Sequence, residues 1–541
     1  MKGQAMEHFD FVIVGGGTAG CVLADRLTEN GRYSVLVLEA GGRDNGFWIP
    51  IPAGFPKLLT GKRYNWRFAT EPEPLTGNRS IVVPRGKGLG GSSLINGMIF
   101  VRGQPQDFDD WVKAGAQGWG WDSVLPYFKK LETFSGGDPA LRGQNGPMHV
   151  ERVKLRPAIA EAFIKAGVEA GHPFNEDYNG VTQEGFGYYQ VTQKNGRRYS
   201  AADAYLRRAE KRANLVVRCH AHVTALRFDG LRVTGVDYDA GGLKRHVTAG
   251  REVIMAAGAV QTPQILELSG VGDPALLSSA GIAVRHALSG VGNNYQDHYC
   301  TRMNWRVKQP VTLNEEARGL SLLRAIAQYF ATRTGILTLG TGLAHAFIKT
   351  RPDLASPDVQ FFFMHASYAN AADRTLDHKP GMTIGVTQLR PLSVGSIHVK
   401  SADPYGMPSI RPNFLSAQED ALCLIEGMKA ARHLMEQKAM EPFCKYEMAP
   451  GRDVATQAQW QDFARSNGQT IYHPVGTCKM GVDGQAVVDP SLKVHGLAGL
   501  RIVDASVMPQ IVSANTEAAV LMIAEKGADL ILADAQKGAG L

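Results

Sequence analysis

A short apolar run, Phe11-Val-Ile-Val14, breaks into Gly15-Gly16-Gly17-Thr18-Ala19-Gly20, and no other stretch constrains this chain as tightly. Consecutive aromatic and β-branched residues read as a buried strand, and Cys21, Leu23, Ala24 and Leu27 then recur at helical spacing. Val35-Leu-Val-Leu38 supplies a second strand, so the unit is βαβ, the opening of a doubly wound parallel sheet. In Gly15-x-Gly17-x-x-Gly20 the first glycine permits a tight turn. The second lets backbone approach a pyrophosphate, and the third lets helix pack on strand. Glu39, 19 residues past Gly20, ends the second strand where a carboxylate accepts hydrogen bonds from a ribose 2′-OH and repels a 2′-phosphate. Together these features specify a dinucleotide site and argue against NADP. They leave NAD and FAD open.

Further strands are expected at Val253–Ala257 and Leu500–Val503, each followed by a turn and a helix pattern, at Thr262–Leu268 and Asn515–Leu532. Strand-turn-glycine signals therefore fall at the start, middle and end of the 541-residue chain, with a less regular region from about 305 to 465 between them. The organisation this implies is an α/β protein: a Rossmann-like cofactor domain assembled from discontinuous segments (1–155, 195–304 and 466–541), with an inserted α+β substrate domain (156–194 and 305–465).

Composition narrows the partners. Charged residues make up 20% and the formal net charge is +7, without a basic stripe interleaved with aromatics, so nucleic acid is not expected. The six cysteines are scattered with no C-x-x-C, and His220-x-His222 lacks a third ligand nearby, so no metal site is expected. No apolar run approaches the roughly 20 residues of a membrane span, and a strand pattern replaces any leader. A cytoplasmic protein is the expectation, with peripheral contact at the inner membrane face left open.

The segment Arg85-Gly-Lys-Gly-Leu-Gly-Gly-Ser-Ser-Leu-Ile-Asn-Gly97 adds glycines, two cations and hydroxyls suited to a polyphosphate. Gly258-Ala-Val-Gln-Thr-Pro-Gln-Ile-Leu-Glu-Leu-Ser-Gly-Val-Gly272 adds a strand-turn-helix with Pro263 near the helix start. These two segments resemble the signature motifs of the glucose-methanol-choline (GMC) oxidoreductases, a flavoprotein family. So do Leu38-Glu-Ala-Gly-Gly42, Tyr64-Asn-Trp66, Tyr472-His-Pro-Val-Gly-Thr-Cys-Lys-Met-Gly481 and Val503-Asp-Ala-Ser-Val-Met-Pro509. The pattern is most similar to the branch of choline and aliphatic alcohol dehydrogenases.

The resemblance implies FAD as cofactor. Gly15, Gly17, Thr18, Ala19 and Gly20 would hold the pyrophosphate, and Glu39 with Ala40 the adenosine ribose. Val223 would meet the adenine through its backbone, and Ser92, Asn96, Gly97 and Met98 would run along the flavin. Asp504 and Ala505 would lie near the pyrophosphate and ribityl chain, with Trp66, Arg85, Gly91, Ala257 and Thr516 also in contact. His473 and Asn515 would be the catalytic pair. Their chemistry is coherent: an imidazole with an ordinary pKa of about 6.5 can take the hydroxyl proton, and an amide can hold the alcohol oxygen. Asn515, at the start of an apolar helix pattern, is also expected to be its N-cap.

Departures from the family refine the expectation. Covalent relatives carry a histidine where this chain has Ile95, so the flavin should be non-covalent. Choline-specific relatives carry a glutamate four residues before a phenylalanine that matches Phe347, and here Leu343 stands there. A leucine beside a quaternary ammonium is unfavourable, so a neutral, largely apolar primary alcohol is expected instead. Leu343, His345, Phe361, Phe363 and His365 are the substrate-pocket candidates, although for Phe361 and Phe363 an ordinary core strand is the stronger reading. Leu389, where light-driven decarboxylases of the family have cysteine, argues against that chemistry. Glu517 replaces an uncharged residue two places after Asn515. The electron acceptor could be a quinone, an electron carrier or O2, with Ile471 a candidate gate. The alternative is a non-redox, hydroxynitrile-lyase type of activity on the same scaffold.

Overall fold

The computed structural model describes residues 7–370 and 374–537. Its first sheet has a parallel core. His8–Val14 lies between Val35–Leu38 and the end of Leu243–Met255, with Leu215–Arg218 outside the former and Leu500–Ile502 outside the latter. Val35–Leu38 and Phe11–Val14 are wholly buried, as parallel strands covered on both faces must be. The strand Leu243–Met255 serves two partners. Its first half continues an antiparallel meander through Ala221–Asp229 and Arg232–Ala240, and its second half runs parallel to the first strand.

The helix Thr18–Thr28 packs against the last helix, Glu517–Lys537, so the two ends of the chain close one domain. Arg26 fixes that contact through paired hydrogen bonds of 2.8 Å to the fully buried Glu525 carboxylate. Without Arg26 the buried Glu525 carboxylate would keep only Lys130, at 3.2 Å, and Tyr205 Oη, at 2.9 Å, as partners.

The second sheet is antiparallel, in the order Cys444–Ala449, Tyr299–Val307, Gly381–Gln388, Val359–Met364, Ala344–Ile348, Gly185–Tyr188, with Gln469–Thr470 also beside Tyr299–Val307. The helices Ala158–Glu169 and Gln418–Met435 cover one face, and the other looks toward the cofactor domain. Strand Tyr299–Val307 belongs to this sheet from its first residue, so a boundary at 304 cuts a strand.

Two expectations change at helix starts. The middle helix runs Gly258–Leu268, which puts Pro263 inside it rather than near its start. The carbonyl left without an N–H partner, Ala259 O, accepts instead from Thr477 Oγ1 at 2.7 Å, which is why the proline is tolerated. The last helix begins at Glu517, and the Thr516 carbonyl accepts from the Val520 N–H at 3.0 Å. Thr516 therefore occupies the cap position and Asn515 lies one residue outside, free to face the cavity.

Candidate active site

A cavity runs between the two sheets, and its wall can be followed from the strand–glycine turn to the second sheet. At the first end Gly15 adopts φ +104°, where a Cβ would lie 2.6 Å from Ala256 O, so only glycine fits the turn. Gly20 lies against Gly15 O so closely that a Cβ would sit 2.0 Å from it. It closes helix onto strand and does not itself line the cavity. The helix beginning at Thr18 has Gly17 as its cap and no side-chain capping bond, which leaves its first N–H groups directed at the cavity. The Glu39 carboxylate is held there by N–H bonds from Gly41 (2.7 Å) and Gly16 (2.9 Å), while burial raises its pKa.

Gly15, Gly17, Thr18, Ala19, Glu39, Ala40, Trp66, Arg85, Gly91, Ser92, Asn96, Gly97, Met98, Val223, Ala257, Asp504, Ala505 and Thr516 all line this cavity. Asp504 is engaged by the Gly258 N–H (2.9 Å), Thr262 Oγ1 (2.6 Å) and the Ser506 N–H (2.8 Å), so it anchors the start of the middle helix. His222, in the strand Ala221–Asp229, joins the wall beside Trp66 and stacks on Tyr405. No group of His, Cys, Asp and Glu suited to a metal occurs among the described residues. Uncapped helix N–H groups, close-set glycines and a carboxylate at the ribose position fit a dinucleotide phosphate cofactor such as FAD.

His473 and Asn515 meet at the other end, with Asn515 Nδ2 3.3 Å from His473 Nε2. Behind His473 stands His298, which carried no motif in the sequence. Its Nδ1 is 3.0 Å from His473 Nδ1, and its Nε2 is 3.0 Å from Leu389 O. A carbonyl can only accept, so His298 carries its proton on Nε2 and accepts on Nδ1. His473 must then donate from Nδ1, which leaves the Nε2 lone pair facing Asn515 and the cavity. Burial pushes His298 down to about 4 and His473 well below its ordinary value, so both rings are neutral near pH 7. Asp297 fixes the backbone of the pair, accepting from the His298 and His473 N–H groups at 2.8 Å each. Burial raises its pKa to about 6. Tyr472, just before His473, has φ +74° and is held in that strained conformation by Arg85, which donates to its carbonyl at 2.6 Å.

Glu517 also faces this end. Its Oε2 accepts from Asn96 Nδ2 at 2.6 Å, its Oε1 has no hydrogen-bond partner, and burial raises its pKa to about 7 against the pull of Asn96 and Arg198.

The substrate candidates are placed elsewhere. Leu343, His345, Phe361, Phe363 and His365 are all buried, and none lines the cavity. In strand Val359–Met364 it is Phe362 and Met364 that face the cavity, while Phe363 stacks on Phe163 of the covering helix Ala158–Glu169. The His345 ring packs between Tyr178 and Tyr189, where burial holds it neutral, its pKa down to about 3. The wall at this end is instead formed by Cys300, Arg302, Phe362, Met364, Tyr368, Arg374, Ile471 and Tyr472. Leu343 therefore does not meet a substrate's cationic group, and Arg302 and Arg374 line the wall instead.

Residues 9–300 match the N-terminal and residues 391–524 the C-terminal GMC oxidoreductase family model. The oxygen-dependent choline dehydrogenase of Escherichia coli strain K12 is 41% identical over 533 residues, 97% of this chain and 95% of that protein. Pyridoxine 4-oxidase from Mesorbium loti has a similar structure (TM-score 0.88, 29% identity, 96% of this chain and 98% of that one). A fungal aryl-alcohol oxidase is also similar (TM-score 0.87, 26% identity, 98% and 99%).

Proposed function

The chain belongs to the GMC oxidoreductase family and is an FAD-dependent alcohol oxidoreductase, and from that premise we propose that it oxidises a primary alcohol to the aldehyde with His473 as base. One observation carries the assignment: the hydrogen-bond chain Leu389 O, His298, His473 leaves an unprotonated Nε2 aimed at the cavity. Bound FAD supplies a two-electron acceptor for the carbinol hydride. The alcohol oxygen would accept from Asn515 Nδ2 and donate its proton to His473 Nε2, replacing the 3.3 Å contact those two atoms make. The resulting imidazolium keeps its Nδ1–H bond to His298, which helps to carry the charge. Gln360 Nε2, 3.4 Å from Asn515 Oδ1, orients the amide so that its NH2 faces His473.

The nucleotide would be held by the backbone of Gly15–Ala19, by Glu39 and by Ser92–Met98, without a covalent link, since Ile95 occupies the wall where a histidine would be needed. The acceptor that reoxidises the enzyme would be a quinone, an electron carrier or O2. Anaerobic reduction followed by admission of air separates them by the rate at which colour returns. No helix among the described residues is long and apolar enough to cross a membrane. Helix Gly319–Thr332 does turn Leu320, Leu323 and Phe330 to solvent, which supports a peripheral contact.

The relative's choline specificity is not carried over. Arg302 and Arg374 on the wall would repel a quaternary ammonium. The test is anaerobic mixing of holoenzyme with an alcohol panel while the visible flavin band is followed. Bleaching by primary alcohols and not by choline is the expected result, and bleaching by choline alone would overturn the assignment.

A further inference from the structure

Arginine side chains in this protein are, as a rule, met by acids when they are buried. Arg102 and Arg142 share Glu132, Arg501 has Glu252 and Asp534, Arg432 has Glu447, and Arg26 has Glu525. Some arginines lack a carboxylate partner among the described residues: Arg85 and Arg198 are engaged instead by backbone carbonyls and Asn96, whereas Arg302 and Arg374 face the reacting end of the cavity.

Their positions are set by the fold. Arg302 lies on strand Tyr299–Val307 directly opposite Gly385, which has no side chain to cover it, and Gly385 in turn lies opposite Phe362. The guanidinium therefore stands on an open stretch of cavity floor. Arg374 donates from Nη2 to Tyr472 Oη at 2.8 Å, one residue from the proposed base. Burial, and after it the nearby Arg374, lowers the pKa of Arg302, whereas the Tyr472 and Tyr368 hydroxyls raise that of Arg374 against its burial. Of the acids at this end, Glu517 is directed to Asn96, and Asp297 to Tyr295, Thr470 and the backbone N–H groups of His298 and His473.

Two like charges held together at a half-buried wall are costly unless an anion joins them. The planar forks of arginine donors match a carboxylate well. We propose that the alcohol oxidised here bears a carboxylate, which seats against Arg302 and Arg374 while its carbinol carbon lies at His473 and Asn515; this rests on the alcohol-oxidation reading above. The substrate is then a hydroxy acid with the two groups at opposite ends of a short apolar spacer, which Phe362 and Met364 flank. Oxidation yields the aldehyde acid: the C–H bond breaks with its electron pair leaving to FAD, and the O–H proton goes to His473.

The test compares matched alcohols on the holoenzyme: 4-(hydroxymethyl)benzoate against benzyl alcohol, and 6-hydroxyhexanoate against 1-hexanol. A second readout needs no turnover: perturbation of the oxidised flavin spectrum by 4-methylbenzoate, which has no hydroxyl to oxidise. The hydroxy acids should exceed their neutral partners in kcat/KM by about tenfold or more, carried mostly by KM, as charge-assisted hydrogen bonds imply. In Arg302→Gln and in Arg374→Gln that ratio should fall toward one and the 4-methylbenzoate perturbation should vanish, at unchanged flavin content. The Arg→Lys variants should keep part of both. Neutral alcohols reacting as well as the acids, with no perturbation by 4-methylbenzoate, would overturn the proposal. If no alcohol of either kind bleached the flavin while 4-methylbenzoate still perturbed it through both arginines, the anion site would stand and the alcohol-oxidation reading would fall.

Discussion

The two ends of the cavity are built by different means. The nucleotide end is made mostly of backbone: a glycine turn at φ +104°, an uncapped helix start and a carboxylate tethered by two N–H groups. The reacting end is made of side chains brought from distant segments, with His298, His473, Asn515, Arg302 and Arg374 converging there. A backbone cradle tolerates almost no substitution but serves any dinucleotide flavoprotein. A side-chain constellation can be altered residue by residue, and that is where the chemistry and the substrate choice reside.

If the division is real, damage at the nucleotide end should abolish cofactor binding outright. Gly15→Val, with its Cβ driven into Ala256 O, is expected to purify without colour, its flavin-to-protein absorbance ratio down by about tenfold or more. A variant that stays fully yellow would break the contrast. At the other end His473→Ala should keep its flavin yet reduce it about 10²–10⁴-fold more slowly with a primary alcohol, as loss of a general base requires. His298→Phe removes only the acceptor that keeps the His473 proton on Nδ1. A loss of about 10–100-fold at full flavin content is expected, smaller than for His473 itself, because the base remains but no longer has a fixed tautomer.

Glu517→Gln should have the smallest effect and sharpen the account through pH. Burial raises the Glu517 pKa from 4.5 to about 7, so the folded chain holds this proton more tightly than the unfolded chain. The sign follows: below pH 4.5 the carboxyl is neutral in both states and contributes no penalty, and as pH rises toward 7 and beyond the folded state must hold a poorly solvated anion. The apoprotein variant is therefore expected to match wild type in acid and to melt higher above pH 7, by a margin of about 1–3 kcal/mol once cavity water is allowed for. Thermal unfolding at pH 5 and pH 8 reads this directly, and equal margins at both would show that Glu517 does not titrate between them.

The same division explains what was legible in the sequence. Gly15-x-Gly17-x-x-Gly20 and Glu39 announce themselves because a backbone cradle needs particular residues at fixed local spacing. The pair His473 and Asn515 was readable only through a wider resemblance. His298 was not, since its role depends on a carbonyl 91 residues away. Val359–Met364 is apolar at every position but Gln360, so alternation alone carries no phase. Packing against Phe163 decides that Phe363 turns away while Phe362 faces the cavity. Leu343 and His345 failed as pocket residues for a related reason, being buried among side chains contributed by other segments. Arg302 and Arg374 belong to no motif, and only their place on the cavity wall, without an acid partner among the described residues, makes them conspicuous. Asn515 shows a finer limit: one residue of difference in the helix start moves it from cap to cavity.

The claim at the centre is that a neutral His473, with Nε2 bare toward the cavity, takes the alcohol proton. Its most direct test is stopped-flow reduction of the flavin under anaerobic conditions by a primary alcohol, in wild type and in His473→Ala loaded to equal flavin content. The account predicts rapid bleaching of wild type and at least a hundredfold slower bleaching of the variant, with both reduced equally by dithionite. Equal rates in the two proteins would contradict it.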